Sequence, residues 1–151
     1  MDDRDWQISE QLAQASDAPS LRALCAQIAD LLGFEHFFYA VRVPLSLTEP
    51  YQFSLSGYPP AWRQRYDALG YVKIDPIVHH AVRSMMPLCW DVIERAAGST
   101  VEAFFADAAA HGLAHGISAP ISGRQGDIAV LSLARGELLP LPAEAAERHR
   151  L

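Results

Sequence analysis

The 151-residue sequence has only two cysteines, Cys25 and Cys89. Two thiols make no disulfide framework, which argues against a small secreted fold held by bridges. There is no Cys-x-x-Cys pair and no His-Glu-x-x-His, so the commonest zinc signatures are missing. Basic charge is scarce as well: 12 Lys plus Arg face 18 Asp plus Glu, a formal net charge of −6. A nucleic-acid surface needs a basic stripe, and this balance argues against one. No apolar run approaches the length of a membrane span. The opening residues, Met1 to Asp5, are acidic with no apolar run behind them, unlike a secretion signal. Internal repeats, low-complexity tracts and linkers are also missing. What is present is 50% hydrophobic and 20% charged, the balance of one ordinary globular domain around a single core. A cytosolic home with both thiols reduced and buried is the expectation.

Residues 20–32 carry apolar side chains at Leu21, Leu24, Cys25, Ile28, Leu31 and Leu32. That is helical periodicity, with Gly33 as a stop. Residues 37–43 are aromatic and β-branched and read as a strand ended by Pro44, with 51–55 as a hairpin partner. Residues 61–69 read as a helix closed by Gly70. Asp75 before Pro76 is the arrangement of a helix cap with proline at the first position, predicting a helix to about Ser84. Ser99 or Thr100 caps a further helix through Val101, Phe104, Phe105 and Ala108 to Gly112. Residues 117–121 and 128–134 read as strands joined by a turn at Gly123 to Gly126. Helices on both sides of an antiparallel sheet of about five strands give an α/β (α+β) fold, a three-layer α-β-α sandwich.

One spaced set of aromatic and acidic residues stands out: Tyr58, Trp62, Tyr66, Asp75 and Trp90. Tyr58, Trp62 and Tyr66 are each four apart, so a helix begun by Pro59 and Pro60 stacks their rings along one face. Tyr and Trp join an apolar body to a polar tip, and a nearby carboxylate adds a charge-assisted acceptor. Together they suit a small molecule with a polar head and an apolar body. From spacing alone, ordinary core packing with Asp75 as a cap fits equally well. Metal readings are weaker. His79 and His80 are adjacent and point apart on a helix, and Gly112 ends a helix between His111 and His115. No ordered catalytic triad is suggested, and Gly123 to Gly126 lacks the Lys-Ser/Thr of a phosphate loop.

The stretch from Gly33-Phe34 to Leu133-Ala134-Arg135 resembles the autoinducer-binding domain of the LuxR family of bacterial quorum-sensing regulators. The resemblance rests on the Tyr58–Trp62–Tyr66 run, Asp75-Pro76, Trp90, Phe104-Phe105, residues 111–116, Pro120 and Leu131-Ser132-Leu133, in order across the chain. Asp75-Pro76-Ile77-Val78 and Leu131 to Arg135 are most similar to the orphan receptors of that family. The resemblance implies the same sandwich, no enzyme activity, no cofactor, and an N-acyl-homoserine lactone held between the sheet and one helical layer. It implies that Trp62 donates to the lactone carbonyl and Asp75 accepts the ligand amide N–H. Tyr58 donates to the acyl carbonyl, with Ser132 beside it, while Tyr66 and Trp90 are aromatic walls. Phe38, Ala40, Ile77, Val78, Phe104, Ala108, Leu113 and Val130 match lining positions of the acyl sleeve, although each is also an ordinary core residue. Ile77 replaces a hydroxylated residue of some relatives. Arg63 follows Trp62, where an exposed helical arginine is the simpler expectation.

After Arg135 the pattern weakens, and no helix-turn-helix segment follows. The expectation is therefore a single ligand domain over residues 1–151 that does not itself bind nucleic acid or membranes. It would pair as a homodimer or with other LuxR-type proteins. The alternative is a relative without a DNA-binding domain that forms inactive heterodimers with full-length regulators.

Overall fold

The computed structural model describes residues 18–43, 51–122 and 128–136. Helix α1 (Ala18–Leu31) buries Leu24, Cys25, Ile28 and Ala29 as one stripe and ends at Gly33, whose φ of 81° few other residues tolerate. Strands β1 (His36–Val43) and β2 (Tyr51–Ser56) follow, then α2 (Pro60–Ala68) and a 3₁₀ turn at Tyr71–Lys73. A short α3 (Pro76–Ala81), a two-residue β3 (Leu88–Cys89) and a 3₁₀ turn at Trp90–Val92 lead to α4 (Thr100–Ala110). Strands β4 (His115–Ser122) and β5 (Ile128–Arg135) complete the described chain.

The five strands form one antiparallel sheet in the order β2-β1-β5-β4-β3. Side chains alternate across it. One face carries Phe37, Leu55, Leu131 and Leu133 against Leu24, Cys25, Ile28 and Ala29 of α1. The other carries Phe38, Ala40, Val130 and Ser132 toward the aromatic residues of α2, α3 and α4. That second core contains Trp62, Tyr66, Trp90, Phe104, Phe105, Ala108, Leu113 and Ala134. The result is the expected α-β-α sandwich. Fully burying one large apolar side chain stabilises by about 1.5–3 kcal/mol, so the two cores dominate the energetics.

The structure corrects two expectations and adds a strand. Helix α3 stops at Ala81 instead of reaching Ser84, because the amides of Arg83 and Ser84 both turn back onto the His80 carbonyl. Strand β3 is too short to leave any period in the sequence. It pairs only with Ile117 and Ser118, so from Ala119 to Ser122 the outer side of β4, including Pro120, has no strand partner among the described residues. Cys89, expected to be buried beside Trp90, is exposed, while Cys25 is fully buried. On a two-residue edge strand the alternation that turns Trp90 inward leaves Cys89 facing out. The turn expected at Gly123 to Gly126, Pro44, and everything after Gly136 lie outside the described residues.

Candidate ligand-binding site

Helix α2 starts with Pro59 in an extended conformation and Pro60 at its first position, so no side-chain cap is needed. This sets Trp62 and Tyr66 on its inner face. Their ring centroids are 5.9 Å apart, and both contact Phe104 of α4 at 5.7 and 6.3 Å. Tyr71, which sequence reasoning passed over, completes the cluster at 5.6 Å from Trp62. Trp62 is only 3% exposed, and its indole brings an N–H donor into the cluster.

Asp75 is 7% exposed and serves as the N-cap of α3. Its Oδ1 accepts the Ile77 N–H at 2.8 Å, and its Oδ2 accepts the Tyr66 hydroxyl at 2.7 Å. Burial pushes the carboxyl above the usual carboxylate range, and the bonds from Tyr66 and from the Ile77 and Val78 amides only partly offset this. A carboxylate has about four acceptor positions, so capacity remains for another N–H. The phenols of Tyr58 and Tyr66 are held neutral well above their ordinary range, first by burial and then by the negative Asp75 nearby. Tyr66 is thus more than the aromatic wall the sequence suggested.

Trp90 also exceeds that role. Its Nε1–H donates to Ser118 Oγ at 2.9 Å, and Ser118 Oγ lies 2.7 Å from Ser132 Oγ. Ser132 in turn lines the cavity near the Tyr58 phenol. Ser118 was not singled out from sequence. Its signal was a small polar residue at an inward position of a strand, and reading it requires the register that sets it opposite Ser132. Gly116 permits the arrangement: a Cβ there would lie 2.7 Å from both the Trp90 ring and the Leu133 carbonyl oxygen.

Arg63 is not the free surface side chain expected. Its guanidinium lies 4.4 Å from the Phe38 ring centroid and 4.6 Å from that of Tyr66, with a 3.6 Å ion pair to Asp67. Its planar cation rests on the two aromatic faces while its charge stays partly in water. Behind the cluster, the Asp107 carboxylate accepts bonds from Arg65 and from the Tyr71 hydroxyl (2.6 Å), tying α2 and the 3₁₀ turn to α4. Burial opposes the charge of Asp107, but those bonds and the positive Arg65 hold its carboxyl below the usual range. His79 and His80 bond to the carbonyls of Lys73 and Met86, and His115 pairs with Asp91 at 2.8 Å.

These residues surround a cavity of about 500 Å³ between the sheet and α2–α4. Every residue nominated from the sequence lines it: Phe38, Ala40, Tyr58, Trp62, Tyr66, Asp75, Ile77, Val78, Trp90, Phe104, Ala108, Leu113, Val130 and Ser132. Arg63, Phe53, Ser54, Val72, Ala81, Val82 and Phe105 line it as well. Ser54, Val72 and Val82 are exposed, which places the mouth between β2 and α3. The polar part of its lining includes Tyr58, Trp62, Asp75 and Ser132. Concave, mostly apolar sites with few convergent polar groups are the usual form of small-molecule pockets.

Comparison with known proteins agrees with this architecture. The family model of the autoinducer binding domain matches residues 17–151. The transcriptional activator protein AnoR of Acinetobacter nosocomialis is 36% identical over 107 residues, 71% of this chain and 44% of that protein. The transcriptional activator protein VanR of Vibrio anguillarum is 32% identical over 108 residues, 72% of this chain and 45% of that protein. The chain therefore spans about half the length of the curated relatives it matches. Among solved structures, the N-acylhomoserine lactone dependent LuxR family transcription factor CepR2 of Burkholderia cenocepacia superposes with a TM-score of 0.72 at 31% identity, covering 99% of this chain and 88% of that one. Escherichia coli SdiA, at 23% identity and a TM-score of 0.74 over 99% of this chain and 62% of that one, shares the fold. With the family model spanning nearly the whole chain, this protein belongs to the autoinducer-binding domains of the LuxR family of quorum-sensing regulators.

Proposed function

We propose that the cavity is a receptor site for an N-acyl-homoserine lactone, and that the domain works by binding this signal without transforming it. The observation that carries the reading is the set of polar groups that a mostly apolar hollow brings together. The Trp62 indole offers a donor, the Asp75 carboxylate an acceptor, and the Tyr58 and Ser132 hydroxyls a further donor. An acylated amino lactone presents the complement: ring carbonyl, amide N–H, acyl carbonyl. Each match matters, because a buried polar group left unpaired costs about 1–3 kcal/mol. The remaining lining, from Phe38 and Ala40 to Val78 and Val130, suits a hydrocarbon chain. CepR2, at 31% identity, is described as dependent on an N-acylhomoserine lactone. In this reading Ile77 contributes its backbone amide to Asp75 and no side-chain bond to the ligand. The domain would pass its signal on through a paired copy or a LuxR-type partner. A thermal-shift panel of lactones with varied acyl length tests the proposal. At least one should raise the melting temperature in a dose-dependent way, and no response across the panel would remove it.

A further inference from the structure

The bond network behind the cavity fixes the direction of its protons. An indole N–H donates and never accepts, so the Trp90 Nε1 bond at 2.9 Å uses Ser118 Oγ as an acceptor. Ser118 is 1% exposed, and its own proton has one acceptor within reach among the described residues, Ser132 Oγ at 2.7 Å. A serine oxygen can accept two bonds, so the indole by itself leaves both senses open; the sense follows because the buried Ser118 proton has no other acceptor among the described residues. With Ser118 as the donor, Ser132 Oγ accepts, and its single proton is left for the cavity side, where Ser132 and Tyr58 both line the hollow.

Building on the lactone reading, we propose that Ser118 is a positioning residue. With Trp90, it sets the order Trp90 to Ser118 to Ser132, so that this end of the cavity presents a hydroxyl donor and selects a ligand bearing a carbonyl oxygen there. Ser118 never touches the ligand in this scheme. A ligand that places a donor, or a poor acceptor, at that spot forgoes the bond from that proton, which then turns to the neighbouring Tyr58 phenol oxygen. Aligned hydroxyls polarise one another, which strengthens the last donor in the row.

Calorimetry on the full chain tests this with two probes, N-octanoyl-homoserine lactone and its thioamide analogue, in which sulfur replaces the acyl oxygen and accepts hydrogen bonds weakly. The native chain should prefer the oxygen compound by about tenfold, near 1.4 kcal/mol. Ser118→Ala should shrink that ratio to roughly two- or threefold, the loss expected when one donor is no longer aligned. Ser118→Thr should keep it. If the alanine variant does not fold, Ser118→Cys keeps the volume with a weak donor and should shrink the ratio too. A role limited to packing would weaken both probes alike, so an unchanged ratio in the Ala or Cys variant would overturn the assignment. No binding of either probe by the native chain would instead overturn the lactone reading beneath it.

Discussion

Asp75 holds the Tyr66 phenol with one oxygen and caps α3 with the other, and it does so from a buried position that raises its carboxyl. A folded value above the unfolded one means the folded state binds the extra proton. The contribution to stability is then fullest at low pH and declines as pH rises through the raised value. Asp75→Asn keeps an N-cap side chain and removes the buried charge. Its unliganded melting temperature at pH 7 should be no lower than that of the native chain, and the decline with rising pH should flatten. Lactone affinity should nonetheless fall at least tenfold, about 1.4 kcal/mol, and Trp62→Phe should cost as much. Unchanged affinity in calorimetry for both variants would remove these two residues from the proposed site. Asp107 works in the opposite sense. Its carboxyl is depressed, so its contribution is present above the ordinary value near 4 and is lost as pH falls through the folded value. Asp107→Asn should lower the melting temperature at pH 7 and give a shallower acid limb. Circular dichroism melts between pH 7 and pH 2 would read this directly.

At the scale of elements, the close contact of β4 with the Trp90 turn is the most demanding fit. Gly116→Ala puts a methyl 2.7 Å from both a backbone oxygen and the indole ring. Neither yields cheaply, and overpacking of this kind costs about 1–3 kcal/mol. Urea denaturation should show that loss, whereas Gly112→Ala probes a different matter, since its φ of 85° strains any side chain while its Cβ meets nothing closer than 3.9 Å. Elements with their own period were legible in the sequence: the α1 stripe at Leu24, Cys25 and Ile28, the Pro60 and Ser99 helix starts, and strands β1, β4 and β5. The lining residues were legible because a family resemblance supplied their order. What escaped depends on pairing between distant segments. Strand β3 exists only because Ile117 and Ser118 are there to pair with it. Ser118 matters only through its neighbours Trp90 and Ser132, 28 and 14 positions away. The inward turn of Arg63 likewise depends on Phe38, a strand away.

For the molecule as a whole, one side of the sheet is packed by α1 and the other encloses a cavity of about 500 Å³. An unfilled apolar void destabilises its surroundings, and a ligand that binds only the folded state stabilises it by mass action, about 2.7 kcal/mol at a hundred times its dissociation constant. Yield of soluble protein should therefore rise when a tightly binding lactone is present during expression, which a fractionated gel with and without lactone would show. The acidic balance of −6 leads to a separate expectation: the purified 151-residue chain should not retard promoter DNA selectively. Sequence-selective, salt-sensitive retardation would contradict it.

The brevity of β3 exposes the protein to its own copies. Beyond Ser118, β4 runs on to Ser122 with its outer edge unpaired among the described residues. A bare strand edge is a template onto which a neighbouring molecule can add a strand, and from there a sheet can spread from chain to chain. Pro120 sits in that stretch. Proline has no N–H to give and interrupts a regular ladder, which is why sheets carry it at their margins. A residue outside the cavity lining thus sits where the missing N–H of proline works against strand addition from a neighbouring molecule.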